Sequence, residues 1–184
     1  MEKRFKFVTK KNDPLDIKRK KKIDKRGYFE RLYCKKEFNK ILKTKKIVQI
    51  NRAFTKKKGT IRGLHFQIGN QYEEKIVTCL RGKIFDVIVD IRKDSKNYLK
   101  WYGKILDNKS NLTNFVPYGY AHGYQTLTDN CEILYFHTDY YHKKSSRVLS
   151  CFDKSMDIKW PLKTSLISDK DKLVKHIKNN FKGI

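Results

Sequence analysis

Two of the five histidines in this chain lie where an imidazole could act as a general base. His65 lies within the β-rich run 61–67, and His122 directly follows the turn Pro117-Tyr-Gly119-Tyr-Ala121. An imidazole titrates near neutral pH, so a histidine held inside a sheet beside polar groups can take and return a proton. The alternative is a histidine that only hydrogen-bonds in the core or faces solvent, and the pattern around a single strand histidine favours that alternative.

Tyr135 and Asp171 also have both a chemical and a structural interpretation. Tyr135 alternates with Ile133 and His137, a pattern typical of a core aromatic whose hydroxyl is hydrogen-bonded. Ser168-x-x-Asp171 precedes a helical pattern and matches a helix capping box. Without further information, the structural interpretation is favoured for both residues.

These residues lie among short segments with the alternation of β-strands. The predicted strands are 61–67, 75–80, 84–91, 102–106, 112–116, 123–127 and 133–138, and turn residues separate them. Helices are predicted only at the flanks, over 35–43 and 169–181. Short strands with turns at this spacing predict an all-β fold, an antiparallel sandwich or jelly roll with short flanking helices. No linker or repeat divides the chain, so one domain over 1–184 is expected.

Side chains of the predicted strand 84–91 alternate between its two faces. Asp86 and Asp90 share one face with Ile84 and Ile88, while the apolar residues between them take the other face. The two carboxylates are interpreted as anchors for loops or lysines, because nothing else in the chain supports glycosidase chemistry. Gly63 is the position at which a bulge could bring Arg62 and His65 to the same side.

The chain is strongly basic, and the excess charge is concentrated at its start. Its 184 residues hold 44 Lys and Arg against 19 Asp and Glu, a formal net charge of +25, and residues 1–60 hold 23 against 6. Lysine outnumbers arginine 35 to 9, whereas specific phosphate and base recognition favours arginine. A solvated basic surface is therefore the preferred interpretation, and nucleic-acid binding is disfavoured.

Other features bear on the location of the protein. There is no apolar run of about 18 residues, so no membrane span is expected. The first residues lack the apolar stretch of a secretory signal. The four cysteines, Cys34, Cys79, Cys131 and Cys151, are widely spaced and predict reduced, mostly buried thiols of a cytoplasmic protein.

A metal site is disfavoured by the histidine spacing. Pro117-x-Gly119-x-x-His122 resembles the second half-motif of the cupins, jelly rolls that often bind a metal through three histidines and a carboxylate. Their first half-motif supplies His-x-His, whereas this chain has His65-Phe66-Gln67. An amide replaces an imidazole that transition metals favour, so a cupin without metal or other cofactor is expected.

Over residues 24–171 the chain resembles the dTDP-4-dehydrorhamnose 3,5-epimerases, a family of metal-free cupins. The matching motifs occur in the order of that family. They are Asp24-x-Arg26-Gly-Tyr-Phe29-Glu30, Gln49-x-Asn51, Gly59-Thr-Ile-Arg62-Gly-Leu-His65-Phe-Gln67, Glu74-Lys75, the runs 82–92 and 117–127, Leu134-Tyr135, Tyr140-Tyr141, Ile158-Lys-Trp160-Pro161 and Ser168-Asp-Lys-Asp171. Because context rather than one short pattern confirms a motif, this ordered series is specific.

The resemblance implies an enzyme that removes and returns protons at C3 and C5 of a nucleotide-diphospho-6-deoxy-4-ketosugar through an enolate. His65 is the implied base, and Asp171 bonds its other nitrogen. Tyr135 is the implied acid, and Lys75 stabilises charge on the C4 oxygen. The implied substrate-binding residues are Arg26, Phe29, Glu30, Gln49, Asn51, Arg62, Gln67, His122 and Tyr141, the first three often reaching the nucleotide from the partner subunit of a homodimer.

Two departures from the family pattern leave the substrate open. Phe136 follows Tyr135 where the family usually has lysine, and the run 142–146 replaces a Pro and a Glu after the tyrosine pair. An epimerase that acts at only C3 or C5, or a 3,5-epimerase for a GDP-linked 4-keto-heptose, remains an alternative. A basic jelly-roll module that binds a polyanion is the non-enzymatic alternative.

Overall fold

Two β-sheets, each of six strands, form the framework of the fold, as seen in a computed structural model that describes residues 3–8, 16–174, 177, 181 and 183–184. The first sheet has the strand order β1 (Phe5–Val8), β2 (Asp16–Arg19), β10 (Leu112–Val116), β7 (Lys75–Arg81), β12 (Cys131–His137) and β5 (Gln49–Thr55). The second has the order β13 (Ser146–Val148), β6 (Thr60–Gln67), β11 (Tyr120–Thr126), β8 (Lys83–Asp90) and β9 (Trp101–Asp107), with β14 (Leu166–Ile167) parallel to β6.

Three smaller elements and a hairpin complete the described fold. The helices are α1 (Lys35–Leu42), α2 (Asp169–Lys172) and a 3-10 turn at Gly69–Gln71. A separate hairpin joins β3 (Lys22–Asp24) to β4 (Gly27–Phe29). In the part of the chain that the structure describes, no helix is long and apolar enough to cross a membrane.

The sheets face each other across an apolar layer, and each is also covered on its outer side. Ile84 and Ile88 of β8 point into the layer between the sheets, where they meet Val77 and Ile133. On the outer side of the first sheet, α1 buries Phe38 completely. Val87 and Val89 of β8 point to the opposite face and are buried as well, as expected for a sheet that is covered on both faces.

An irregular register between β6 and β11 lets two residues three positions apart reach the same side. His65 pairs with His122 and Arg62 with Tyr124, so three steps on β6 match two on β11. Gly63 lies at this bulge with a φ of +111°, and a Cβ there would come within 2.6 Å of the His122 carbonyl oxygen. Only glycine fits such an approach. The bulge that the sequence allows at Gly63 is therefore present in the structure.

The predicted fold class is confirmed, as are the seven predicted strands to within a few residues and the first helix. The helix predicted over 169–181 is wrong in its length, because α2 ends at Lys172. Leu173, expected on its apolar face, is 79% exposed, and residues 175, 176, 178, 179 and 180 of that prediction lie outside the described residues. The sequence also did not predict strands before residue 61, where β1 to β5 occur.

The four cysteines are unpaired, as predicted. Cys79, Cys131 and Cys151 are buried, and Cys34 is half-buried. Burial raises the pKa of both Cys79 and Cys151 to about 12, so these thiols stay protonated and unreactive near neutral pH.

Candidate active site

A cavity of about 260 Å³ opens between the two sheets, and side chains from both sheets line it. The first sheet contributes Asn51, Ala53, Lys75, Tyr135 and His137. The second sheet contributes Arg62, His65, His122 and Tyr124. Six of the residues predicted from the sequence are therefore brought to one cavity: Asn51, Arg62, His65, Lys75, His122 and Tyr135.

His65 is held by a buried carboxylate. Its Nε2 lies 2.7 Å from Oδ1 of Asp171, and the Asp171 side chain is only 4% exposed. When a carboxylate binds one imidazole nitrogen, it fixes the tautomer and stabilises the imidazolium. With Nε2–H donating to Asp171, Nδ1 of His65 is the nitrogen left to take a proton.

Asp171 has two roles: its carboxylate binds His65, and its backbone takes part in the N-terminal cap of α2. Its backbone N–H donates to Oγ of Ser168, the N-cap of α2. Its second carboxylate oxygen accepts from the Gly63 N–H at 3.2 Å. Burial alone would raise the pKa of Asp171, but the hydrogen bond and positive charge of His65 hold it below its ordinary value. The cap and the histidine pairing are compatible because they use different atoms of Asp171.

His122 forms a second pair of the same kind deeper in the cavity. Its Nε2 lies 2.8 Å from Oδ2 of Asp86, and both side chains are almost fully buried. The other Asp86 oxygen accepts from Nδ2 of Asn114 at 2.6 Å. The interpretation of Asp86 as an anchor for loops or lysines is wrong, because its partners are His122 and Asn114. Asp90 does anchor a loop, through Arg92 and Ser95.

Tyr135 is held in its protonated form. Burial, the neighbouring Tyr124 hydroxyl and Asp86 raise the pKa of Tyr135 well above its ordinary value. The Tyr124 hydroxyl in turn lies 2.9 Å from Oγ1 of Thr55, which also accepts from Nε of Arg62 at 3.1 Å. A phenol in this setting is suited to giving a proton rather than removing one.

Lys75 is a buried cation at the base of the cavity, 7% exposed. Its Nζ lies 2.9 Å from Oε1 of Glu73 and 3.4 Å from the carbonyl oxygen of His65. A buried ammonium needs such a counter-charge, and here the counter-charge leaves Lys75 facing the cavity. The arrangement can stabilise negative charge that develops on a bound carbonyl oxygen.

Three predicted substrate residues lie outside the cavity of their own chain. Arg26 and Phe29 belong to the hairpin β3–β4, where both are exposed. The Arg26 guanidinium forms a salt bridge with Asp24, with 2.8 Å between Nη2 and Oδ2. Glu30 accepts from Nε of the buried Arg19 at 2.8 Å. Within one chain these residues therefore do not meet His65 or Lys75.

Gln49, Gln67 and Tyr141 lie beside the cavity and hold a loop together. The Gln67 amide donates to the carbonyl oxygen of Tyr140, and its oxygen accepts from the His142 N–H. The Gln49 amide oxygen accepts from the Tyr141 N–H at 3.3 Å. The Tyr141 ring is exposed. The polar atoms of Gln67 are thus used by the protein, which makes it a support for the loop that carries Tyr141.

The sequence interpretation missed two residues of the site and the true partner of a third. Glu73 and His137 were not predicted, and Asp86 was not connected with His122. The spacing in the sequence could have indicated Glu73 and His137. His137 lies two residues after Tyr135, and Glu73 lies two residues before Lys75. In an extended strand, residues two apart share a face. Among the described residues, no three His, Cys, Asp or Glu side chains converge as ligands around a metal would.

Arg62 connects this cavity to a larger, basic cleft. The cleft has a volume of about 760 Å³ and is lined by Lys56, Lys57 and Arg62 together with Phe54 and Leu166. Asp129 and Asn130 also line it. The Arg62 guanidinium is held by Thr55 and by the Phe54 carbonyl oxygen. A cation fixed between this cavity and the basic cleft is suited to a ligand with an anionic part in the cleft and a neutral part in the cavity.

The two-sheet fold and the proton-transfer groups that it encloses define the class of the protein, a cupin-like acid–base enzyme. Within that class the chain belongs to the family of dTDP-4-dehydrorhamnose 3,5-epimerases, since the sequence model of that family matches residues 9–179. The resemblance found in the sequence motifs, and the enzyme class it implies, an isomerase, are confirmed.

Individual relatives agree with this assignment. The chain is 38% identical over 149 residues to the dTDP-4-dehydrorhamnose 3,5-epimerase of Shigella flexneri, covering 80% of this chain and 82% of that protein. It superimposes on the dTDP-6-deoxy-D-glucose-3,5-epimerase of Legionella pneumophila, solved in complex with dTDP-4-keto-L-rhamnose, with a TM-score of 0.87, 34% identity and coverage of 94% and 92%. The Bacillus anthracis dTDP-4-dehydrorhamnose 3,5-epimerase, solved with TDP and PPi bound, has a TM-score of 0.89, 33% identity and coverage of 94% and 99%.

Proposed function

We propose that this chain catalyses epimerisation at C3 and C5 of a dTDP-linked 6-deoxy-4-ketosugar, a step of deoxysugar biosynthesis of the L-rhamnose type. The observation that carries the proposal is the pairing of His65 with the buried Asp171 across one cavity from Lys75 and Tyr135. A base on one wall and an acid on the opposite wall are what inversion at a carbon next to a ketone requires.

The first half of the reaction removes a proton. Nδ1 of His65 takes the proton from C3 or C5, and the electron pair of the broken C–H bond moves into the ring to form an enolate with its charge on the C4 oxygen. Asp171 stabilises the imidazolium as it forms. The Lys75 ammonium stabilises the enolate oxygen through charge and hydrogen bonding.

The second half returns a proton to the other face. The Tyr135 hydroxyl donates its proton to the same carbon, the enolate electron pair forms the new C–H bond, and the C4 carbonyl is restored. The phenolate then takes a proton from solvent, and His65 releases its proton to solvent. No electrons are gained or lost, so the reaction requires no redox cofactor, and we propose that the enzyme works without metal or cofactor.

The nucleotide diphosphate is assigned to the basic cleft. Lys56, Lys57 and Arg62 provide positive charge there, and relatives are known with dTDP-linked sugar or TDP bound. With the diphosphate at Arg62, the sugar extends into the cavity between His65 and Tyr135. The His122 imidazole and Asn51 then face the sugar hydroxyls, and Tyr141 lies at the rim.

We further propose a homodimer, in which the hairpin β3–β4 delivers Arg26, Phe29 and Glu30 to the nucleotide of the partner. Three apolar side chains of this hairpin are more than half exposed: Ile23 (76%), Tyr28 (63%) and Phe29 (62%). Ile50 and Phe54 are also exposed on the edge strand β5. Clustered apolar exposure of this kind is typical of an interface. Sedimentation should show a dimer that Phe29→Asp dissociates, whereas Phe152→Asp, at an exposed phenylalanine elsewhere, should leave it intact.

The remaining assignments concern the chain as a whole. We propose that residues 1–184 act as one domain and that the enzyme is cytoplasmic, which the four unpaired cysteines support.

One experiment tests the reaction, its carbons and its nucleotide together. The protein is incubated with dTDP- and GDP-linked 4-ketosugars in deuterated water, and NMR locates the deuterium and the product stereochemistry. We expect deuterium at both C3 and C5 of the dTDP-linked sugar together with inversion at both carbons. Label at only one carbon would indicate a single-site epimerase. Turnover of only the GDP-linked sugar would show that the substrate is a GDP-linked 4-ketosugar. No label with either substrate would refute the proposed function.

A further inference from the structure

A residue that lines the cavity and its buried partner take no part in the reaction as described above. They are His137 on β12 and Glu73, which lies in the segment between the 3-10 turn and β7. Nδ1 of His137 lies 2.7 Å from Oε2 of Glu73, and the side chains are 12% and 10% exposed. A buried imidazole and carboxylate beside the proposed enolate-stabilising lysine require an explanation.

These residues form a continuous polar chain that ends at Lys75. Nδ2 of Asn51 lies 3.2 Å from Nε2 of His137, His137 contacts Oε2 of Glu73, and Oε1 of Glu73 lies 2.9 Å from Nζ of Lys75. The chain runs across three neighbouring strands of the first sheet, because Asn51 is on β5, His137 on β12 and Lys75 on β7. Each carboxylate oxygen of Glu73 therefore has its own cationic or N–H partner.

Glu73 is ionised in this setting. Burial alone would raise its pKa, but the charge of Lys75 and the hydrogen bond from His137 lower it to about 2. A carboxylate that stays charged can hold the lysine ammonium at all pH values at which the protein is folded and active.

The two carboxylate oxygens of Glu73 bind different partners, and this determines how many N–H donors of Lys75 face the cavity. An ammonium has three N–H donors. One is used by Oε1 of Glu73 and a second points towards the His65 carbonyl oxygen, 3.4 Å away. The hydrogen bond from His137 to Oε2 holds the Glu73 carboxylate in the orientation in which Lys75 pairs with Oε1, and the third donor of Lys75 is left for the substrate.

We propose that His137 and Glu73 are positioning residues for Lys75, and that the N–H of His137 keeps the Lys75 ammonium turned towards the C4 oxygen. This inference rests on the proposed epimerase function, because the C4 oxygen is the atom that Lys75 stabilises there. Without the His137 donor, Glu73 takes the ammonium with both oxygens and draws its charge away from the enolate.

Two variants of His137 with similar size and shape test the role of its N–H donor. His137→Asn and His137→Leu both shorten the side chain, open the cavity by the same amount and lose the contact with Asn51. Only asparagine keeps an N–H at the position of Nδ1, so only asparagine can still donate to Oε2 of Glu73. The readouts are kcat and KM for the dTDP-linked 4-ketosugar and the rate of deuterium uptake at C3 and C5.

We expect His137→Leu to lower kcat and deuterium uptake about tenfold with KM within about twofold of wild type, a smaller loss than full removal of an oxyanion-stabilising group. His137→Asn should keep kcat within about threefold of wild type. Equal kcat values for the two variants, or an effect on KM alone, would overturn the proposal.

A second variant covers the case in which His137→Leu does not fold. Glu73→Gln keeps the size and hydrogen-bonding capacity of the side chain but removes its charge, so it should also lower kcat about tenfold while the thermal unfolding transition stays cooperative. A Glu73→Gln enzyme with wild-type kcat would overturn the proposal. Wild-type protein is measured first, so absent deuterium uptake there would refute the epimerase function itself rather than this positioning role.

Discussion

The second sheet presents His65 and His122 to the cavity, each bound through Nε2 to a buried aspartate, whereas the first sheet presents Lys75 and Tyr135. In the proposed reaction, His65 is the histidine that accepts a proton. Tyr135, by contrast, is held protonated, and Lys75 carries its charge beside Glu73.

This difference between the sheets explains how one cavity can invert a carbon. In the proposed reaction, a sugar ring between the sheets has the base on one face and the acid and the cation on the other. A proton removed by one sheet is therefore replaced from the other, which is inversion. A site built on one sheet alone would return the proton to the face from which it came.

The largest effect is expected for His65, the proposed general base on the second sheet. His65→Asn removes the group that takes the proton, so kcat and deuterium uptake at both carbons should fall by about 10³-fold or more. NMR in deuterated water measures both. His142→Asn, at an exposed imidazole outside the cavity, should behave as wild type. Full deuterium uptake by His65→Asn would show that the base lies elsewhere.

Lys75 on the first sheet should affect both halves of the reaction. Lys75→Gln keeps an N–H donor for Glu73 but loses the positive charge, and because removal and return of the proton share one enolate, uptake and inversion should fall together by about 10²-fold. The ratio of deuterium uptake to inverted product should remain that of wild type. A change in this ratio would mean that Lys75 acts in only one half of the reaction.

Tyr135 on the same sheet should affect only the second half. Tyr135→Phe removes the proton donor but leaves His65 and Asp171 in place, so deuterium uptake should stay within about tenfold of wild type while inversion falls about 10²-fold. Comparing product stereochemistry with label content measures this. If uptake and inversion are lost equally, the assignment of base and acid to separate sheets is wrong.

The last effect is on stability rather than on the reaction, and it concerns the ion pair of the first sheet. The pKa of Glu73 is lowered from 4.5 to about 2, so its charged form stabilises the folded state above about pH 4.5 and this contribution is lost as the pH falls towards 2. A shift of this size corresponds to about 3 kcal/mol. Urea unfolding should therefore show wild type more stable than Glu73→Gln at pH 7, with the difference shrinking at pH 3.

A control for that measurement lies at the surface. The Asp24–Arg26 pair is exposed, and such pairs contribute little. Asp24→Asn should therefore show no measurable change at either pH. A Glu73→Gln variant as stable as wild type at pH 7 would mean that burial cancels the attraction of Lys75 and His137.

Local patterns were sufficient where neighbouring residues decide the outcome. The alternation around Val87 and Ile88 placed these side chains on opposite faces of a strand, and they pack into two different core clusters. The helix predicted over 169–181 is too long, since α2 ends at Lys172. Ile177 and Phe181 pack against the second sheet. Tertiary packing overrode helical spacing there.

The departure from the family pattern at Phe136 also has a structural explanation. Phe136 is buried on the outer side of the first sheet, where its ring stacks on Tyr33 with centroids 5.8 Å apart. It points away from Tyr135, since successive strand residues face opposite sides. This substitution therefore lies outside the cavity.

By itself, the sequence determined the all-β fold class and the family, and it predicted the base, its aspartate, the acid and the lysine of the proposed reaction, because strand alternation and an ordered series of motifs are properties of the chain as written. Only the tertiary structure decided which carboxylate holds which cation. Asp86 with His122, and Glu73 shared between Lys75 and His137, join residues 2 to 64 positions apart. Such pairings depend on strand order, because it brings side chains from separate parts of the sequence within hydrogen-bonding distance.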